Sequence, residues 1–296
     1  MNGVFVFNKP KGITSHDVVY LFRKKFNIKK VGHTGTLDPI ATGVLPICIG
    51  KGTKIAQYIS SDNKEYLATF QFGFETDTLD VTGKTIKYND VVPSLEEVVL
   101  ALKNFQGQIY QKPPMYSALK VNGKKLYEFA REGIEVEIKP RLIEIEKISL
   151  IEQMSKETFK ILVKCSSGTY IRSLIRDIGH LLNTCATMVE LKRTRTGIFN
   201  LEDSIDENDL KNLSVKELEK FLIPIDKALY NFESFIYPDE FYDKVINGVF
   251  YKTTKLNFEN PEMLKLYCKN KFIGIGEYKE DENTMGIKIK KRLIGE

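Results

Sequence analysis

Between Gly32 and Gly43 the chain packs three glycines, three threonines, one histidine and a single carboxylate into a dozen residues. Neither a helical nor a strand period runs through this segment, so it reads as a loop held by backbone conformations that glycine permits. Asp38 precedes a proline, which pushes it toward an extended conformation. Directly behind it, Val44-Leu45-Pro46-Ile47-Cys48-Ile49 reads as a buried strand. The fold must therefore present one acid from a tight loop anchored on a scaffold strand, which is where chemistry commonly sits. Glycine-rich and Asp-Pro segments also make ordinary turns, so the rest of the chain has to decide.

Upstream, Gly3 to Asn8 reads as a strand and Thr14 or Ser15 as the cap of a helix whose Val18, Phe22 and Phe26 form one face. A short helix is expected over 53–59. Tyr66, Ala68, Phe70 and Phe72 alternate with more polar neighbours, a strand pattern leading into an acidic, threonine-rich loop at 73–80. Ser94 opens a capping box for a helix to about Phe105, Asn122-Gly123 signals a hairpin turn, and a helix is expected over 124–132. Strands are expected around Ile143–Leu150 and Phe159–Cys165. A helix follows Ser166–Tyr170 with Ile171, Leu174, Ile175 and Ile178 as its apolar stripe; Arg172 and Arg176 lie off that stripe, one turn apart. Met188–Arg193 reads as a strand with a basic end. Short strands after about residue 236 suggest a small appended β-barrel, dividing the chain into 1–235 and 236–296.

Charge is unevenly spread. Residues 1–60 carry nine Lys/Arg against two Asp, whereas residues 201–240 carry four Lys against eleven Asp/Glu. That asymmetry suggests one face for a polyanion and another turned away from it. Val4–Phe7 is followed at once by Asn8-Lys9, so no signal peptide is read, and no apolar run is long enough to span a membrane. The four cysteines are isolated, which signals neither a zinc site nor a disulfide framework and fits a reducing cytoplasm.

Three chemistries compete for the central loop. A metal site could draw on His33, Asp38, Asp77 and Asp80, but the chain's three histidines form no metal-binding pattern, and Asp77 and Asp80 read as loop carboxylates bonded to backbone amides. A Ser/His/Asp or Cys/His nucleophile lacks its elbow and its cysteine setting. The third is a lone carboxylate acting on a nucleic-acid base. Asp38 would be nucleophile or general acid/base, Arg172 its charge partner holding it ionised, and Tyr66 a platform for an extruded base.

The segment from Gly32 to Pro46 closely resembles the signature of the TruB family, bacterial tRNA pseudouridine synthases acting on the T-loop uridine at tRNA position 55. Four more segments match in the family's order: Asn8–Ser15, Lys64–Tyr66, Pro114–Lys120 and Ser167–Arg172. The resemblance implies an α+β pseudouridine-synthase fold with a central mixed, largely antiparallel sheet and a PUA-like RNA-binding tail. It puts Asp38 at the nucleophile position, Tyr66 at the stacking tyrosine, Arg172 at the paired arginine and Tyr170 at a site-lining tyrosine. His33 falls at the histidine that enters the T loop and Leu191 at an apolar residue closing the pocket. Lys9, in the first matching segment, is expected among the substrate contacts. The implied reaction is an isomerisation with no cofactor and no metal, in which the aspartate attacks C1′, adds to C6 or assists a glycal route. A monomer without guide RNA is expected, bound to the tRNA T-arm and elbow. The competing reading is an RNA-binding or RNA-folding protein that keeps the fold without needing the chemistry.

Overall fold

The computed structural model describes residues 1–60, 63–253, 262–280 and 285–294. The chain begins with β1 (Gly3–Lys9), α1 (Ser15–Phe26), β2 (Val31–His33), β3 (Thr42–Ile49), a 3-10 turn into α2 (Ala56–Ile59) and β4 (Lys64–Phe72). A small ribbon, β5 (Phe74–Thr76) with β6 (Thr85–Tyr88), precedes α3 (Leu95–Lys103) and β7 (Gly107–Gln111). Next come a hairpin of β8 (Lys120–Val121) and β9 (Lys124–Lys125), α4 (Leu126–Arg131), β10 (Arg141–Gln153), β11 (Thr158–Cys165), α5 (Ile171–Leu181), β12 (Ala186–Thr196) and β13 (Phe199–Asn200).

The central sheet runs β1-β3-β12-β4-β11-β10-β7, with β2 on β3 and β13 on β12. All of its ladders are antiparallel except β12 on β3, which is parallel and only two residue pairs long, Lys192 with Thr42 and Arg193 with Gly43. Tyr66, Ala68, Phe70 and Phe72 point inward from β4, where Phe70 stacks on Phe159 of β11 at 5.9 Å between ring centres. The apolar residues of β10 are spaced 143, 145, 148 and 150, a break in strict alternation. A bulge between Ile145 and Lys147 takes up the extra residue and returns Ile148 to the core.

Both faces of β1 are buried, which is why it reads as an unbroken apolar run. Phe5 and Phe7 pack on Phe22 and Phe26 of α1, whereas Val4 and Val6 belong to a second cluster with Val44, Ile225, Ile275 and Leu293. That second cluster joins the tail to the back of the central sheet. In the tail, β14 (Glu233–Ile236), β15 (Tyr251–Lys252), β16 (Glu262–Cys268), β17 (Lys271–Glu280) and β18 (Met285–Arg292) form a curled five-stranded sheet ordered β14-β16-β17-β18-β15.

The helix expected over 124–132 is shorter than its sequence suggested. Asn122, at φ 50°, and Gly123 turn a two-residue hairpin whose second strand consumes Lys124 and Lys125. The acidic segment at 73–80 is also not all loop, since Phe74–Thr76 pairs with β6. Among the described residues no helix is long and apolar enough to cross a membrane.

Candidate active site

Asp38 sits where several short segments are tied together. Ser15, at the start of α1, accepts the Leu37 amide proton through Oγ at 2.8 Å and donates to the Leu37 carbonyl at 3.1 Å. The amides of Gly12 and Ala41 donate to the carbonyls of Pro39 and Asp38. Beneath the loop, the fully buried Lys9 gives its ammonium protons to the carbonyls of Pro10, Ile13 and Pro39. Burial pulls this lysine down to about 8, with Asp38 pulling the other way. Expected as a substrate contact, Lys9 is instead placed as an internal brace, its donors turned onto backbone carbonyls. The segment Asn8–Ser15 thus fastens the aspartate loop from below.

The loop can lie against β12 only because residue 43 is glycine. Gly43 adopts φ +99°, and a Cβ there would fall 2.2 Å from the Arg193 carbonyl oxygen.

A cavity of about 300 Å3 opens over Asp38, lined also by Tyr66, Ser117, Tyr170, Arg172, Leu191 and Arg193. That volume is at the low end of small-ligand pockets, about 300–1,000 Å3, and suits one nucleoside rather than a longer stretch of chain. A larger, more polar groove near Lys164 and Arg195 lies away from the carboxylate. Of the residues expected at the site, Asp38, Tyr66, Tyr170, Arg172 and Leu191 converge on the cavity. His33 ends β2 outside its lining, with Nδ1 buried and unpartnered; burial and the Arg193 charge hold its imidazole below the usual histidine range.

Arg172, buried at the first turn of α5, reaches Asp38 Oδ2 with Nη2 at 2.9 Å. The two-pronged grip that an arginine fork allows is not made. Nη2 also donates to the Tyr116 carbonyl at 2.9 Å, and Nη1 donates to the Thr78 carbonyl at 2.8 Å with Asp80 Oδ2 at 3.7 Å. The guanidinium therefore bridges two aspartates and two loops. Arg176, one turn on, instead bonds Asp177. The α5 end is itself held from the edge strand: the Gln111 side chain accepts the Tyr170 amide at 2.8 Å and donates to its carbonyl at 3.1 Å.

Burial pushes the Asp38 carboxyl above its ordinary value; Arg172 opposes this and Asp80 adds to it. The guanidinium offsets desolvation without cancelling it, so the carboxylate is less acidic than a simple ion pair would make it. Asp77 and Asp80 do bond backbone amides, those of Lys84 and Thr82. Asp80 is in addition a member of the site, which its loop sequence alone did not reveal. Arg193 is a second such residue, although its in-phase spacing with Leu191 on β12 was a readable signal. Among the described residues no group of three or more His, Cys, Asp or Glu is arranged to hold a metal ion.

A carboxylate paired with a buried arginine, beside a second aspartate, lines a nucleoside-sized pocket on a mixed sheet. The sequences like this one are those of pseudouridine synthases. The whole chain superposes on the solved "Cbf5-Nop10-Gar1 Complex" with a TM-score of 0.73, 25% identity, and coverage of 98% of this chain and 84% of that one. The fold is shared too with the "H/ACA RNP bound to a substrate RNA containing 2'-deoxyuridine", at TM-score 0.75, 24% identity, and coverage of 99% and 85%. The profile of the "TruB family pseudouridylate synthase (N terminal domain)" matches residues 23–171, and that of the "tRNA pseudouridylate synthase B C-terminal domain" matches 172–230. Proteins called tRNA pseudouridine synthase B are similar along their length. That of Clostridium tetani is 46% identical over 99% of this chain and 100% of its own. That of Francisella philomiragia is 43% identical over 94% and 91%. The chain belongs to the TruB family.

Proposed function

We infer that this protein is an isomerase that converts a uridine of tRNA to pseudouridine, acting on the T-loop uridine at position 55. The observation that carries the reading is the 2.9 Å pair of Asp38 and Arg172 at the floor of a pocket of about 300 Å3. A flipped uridine enters the cavity, Tyr66 supports the base by its face, and Tyr170 and Leu191 close around it. Asp38, ionised, acts on the sugar or on the base. Arg172 keeps it aimed and moderates the cost of its burial. His33, from the neighbouring β2, takes the place the base leaves in the T loop.

Residues up to 232 serve as the catalytic domain and those from β14 onward as a PUA-like RNA-binding domain, in a monomer that works in the cytoplasm without guide RNA. The expected 235/236 boundary would cut β14 (Glu233–Ile236). The uracil is detached, turned and rejoined through carbon, so the reaction is redox-neutral and neither metal nor cofactor is expected; turnover in EDTA with the tRNA still folded checks this. The decisive assay incubates the protein with unmodified tRNA and maps pseudouridine by carbodiimide-dependent reverse-transcription stops. One new stop is expected, one nucleotide 3′ of position 55, where the adduct on that base halts the transcriptase. Stops elsewhere, or none, would overturn the assignment.

A further inference from the structure

Arg193 is 1% exposed, and its hydrogen bonds go to a carbonyl on each of two segments, neither of them to a carboxylate. A buried guanidinium normally has an anion beside it, so an arginine retained here without one must do something its neutral partners need. Nε donates to the Val44 carbonyl on β3 at 2.7 Å, and Nη2 to the Gly35 carbonyl in the aspartate loop at 3.2 Å. Tyr66, directly opposite Arg193 on β4, has its hydroxyl within the field of the same guanidinium. From β12, one side chain thus ties the aspartate loop to β3 and faces β4. It does so where the β12–β3 ladder is only two residue pairs long. Gly43 lets the Arg193 backbone come close, since a Cβ there would fall 2.2 Å from its carbonyl oxygen, whereas a Cβ on Gly35 would make only an ordinary contact with Nη1 at 3.6 Å.

The outer torsion of a tyrosine ring has a broad, shallow preference, so the plane of the ring is set by what it touches. Tyr66 faces Arg193 across the β4–β12 ladder, and both line the cavity. We propose that Arg193 is a positioning residue for the isomerisation: anchored on the Gly35 and Val44 carbonyls and set directly opposite Tyr66, it fixes the plane of the ring that supports the flipped base. This rests on Tyr66 being the base platform. A lysine is no substitute, because a point charge on a flexible stem does not hold two acceptors in fixed directions.

A double-mutant cycle tests this with single-turnover rates on unmodified tRNA, for wild type, Tyr66→Phe, Arg193→Lys and the double variant. Each single variant is expected to react about tenfold more slowly at saturating enzyme, with tRNA affinity unchanged, and the double variant no more slowly than the slower single. Effects that multiply would mean Arg193 does not act through the tyrosine, and the proposal fails. Thermal unfolding of all four separates this from mere destabilisation, which would make the rate loss follow the melting temperature in both backgrounds. Tyr66→Phe at the wild-type rate overturns the proposal by itself, even if Arg193→Lys does not fold. A wild type that forms no pseudouridine sinks the functional reading instead, a result distinct from multiplying effects.

Discussion

At the scale of single residues, Asp38 and Arg172 illustrate a charge held against its own solvation. Asp38→Asn is expected to abolish pseudouridine formation and leave tRNA affinity within a few-fold, since affinity comes mostly from phosphate contacts. It should also stabilise the fold at neutral pH. The Asp38 carboxyl is raised in the native state, so its deficit is absent below the ordinary carboxylate value, grows as pH rises toward the native value, and is complete above that. Melting temperatures across pH should therefore show the Asn variant pulling ahead as pH rises through the mildly acidic range; a gap that widens toward acid would contradict the sign. Arg172→Met removes the main cation opposing that shift, leaving the weaker pull of Lys9. Its residual activity should fall off at a higher pH on the acid side than in wild type, while Arg172→Lys keeps the charge but loses the bridge between Asp38, Thr78 and Tyr116. Single-turnover pH profiles read this directly.

At the scale of elements, the pocket is a meeting of strand ends and helix starts, and what the sequence could show of it depended on where each signal lay. The strand pattern of β4 was plain because its inward residues are all large and apolar, and the aspartate loop was plain from its glycines and its proline. Arg172 was legible by residue type and helix phase, but not the Asp80 side of its bridge. That contact exists because Leu79 adopts φ 64°, a left-handed conformation rare for leucine, and folds the 77–82 turn toward α5. No local pattern announces it. Lys9 misled for the opposite reason, since a lysine in a turn is usually exposed and only the tertiary fold puts carbonyls around it. Gly43→Ala tests the element-level argument. A Cβ 2.2 Å from the Arg193 carbonyl, at a positive φ, should cost about 2–4 kcal/mol of stability and lower the melting point. A variant as stable as wild type would show that the β3–β12 approach is not tight.

At the scale of the whole molecule, the basic run near the end of the chain is less available to RNA than its composition suggests. Lys290 pairs with Glu277 at 2.7 Å, Lys291 donates to the Lys54 carbonyl and lies over the Tyr58 ring, and Arg292 donates to the Ile246 carbonyl. Lys51 in turn donates to the Ile294 carbonyl. The tail is built into the body, so truncation before β14 should uncover Val4, Val6, Val44 and Cys48 and yield a poorly soluble, unfolding-prone protein. Circular dichroism and size-exclusion chromatography of the 1–232 fragment check this; a well-folded fragment would show that the second cluster is dispensable. The two-faced burial of β1 has a consequence for biosynthesis. Val4 pairs across with Ile223 and shares a buried cluster with Ile275 and Leu293, so this strand waits for residues made some 270 to 290 positions later. At about 5–20 residues per second that wait is on the order of 15–60 s. During it the apolar run Val4–Phe7 has only one of its two covers, which makes the nascent chain, rather than the finished enzyme, the state most in need of a chaperone.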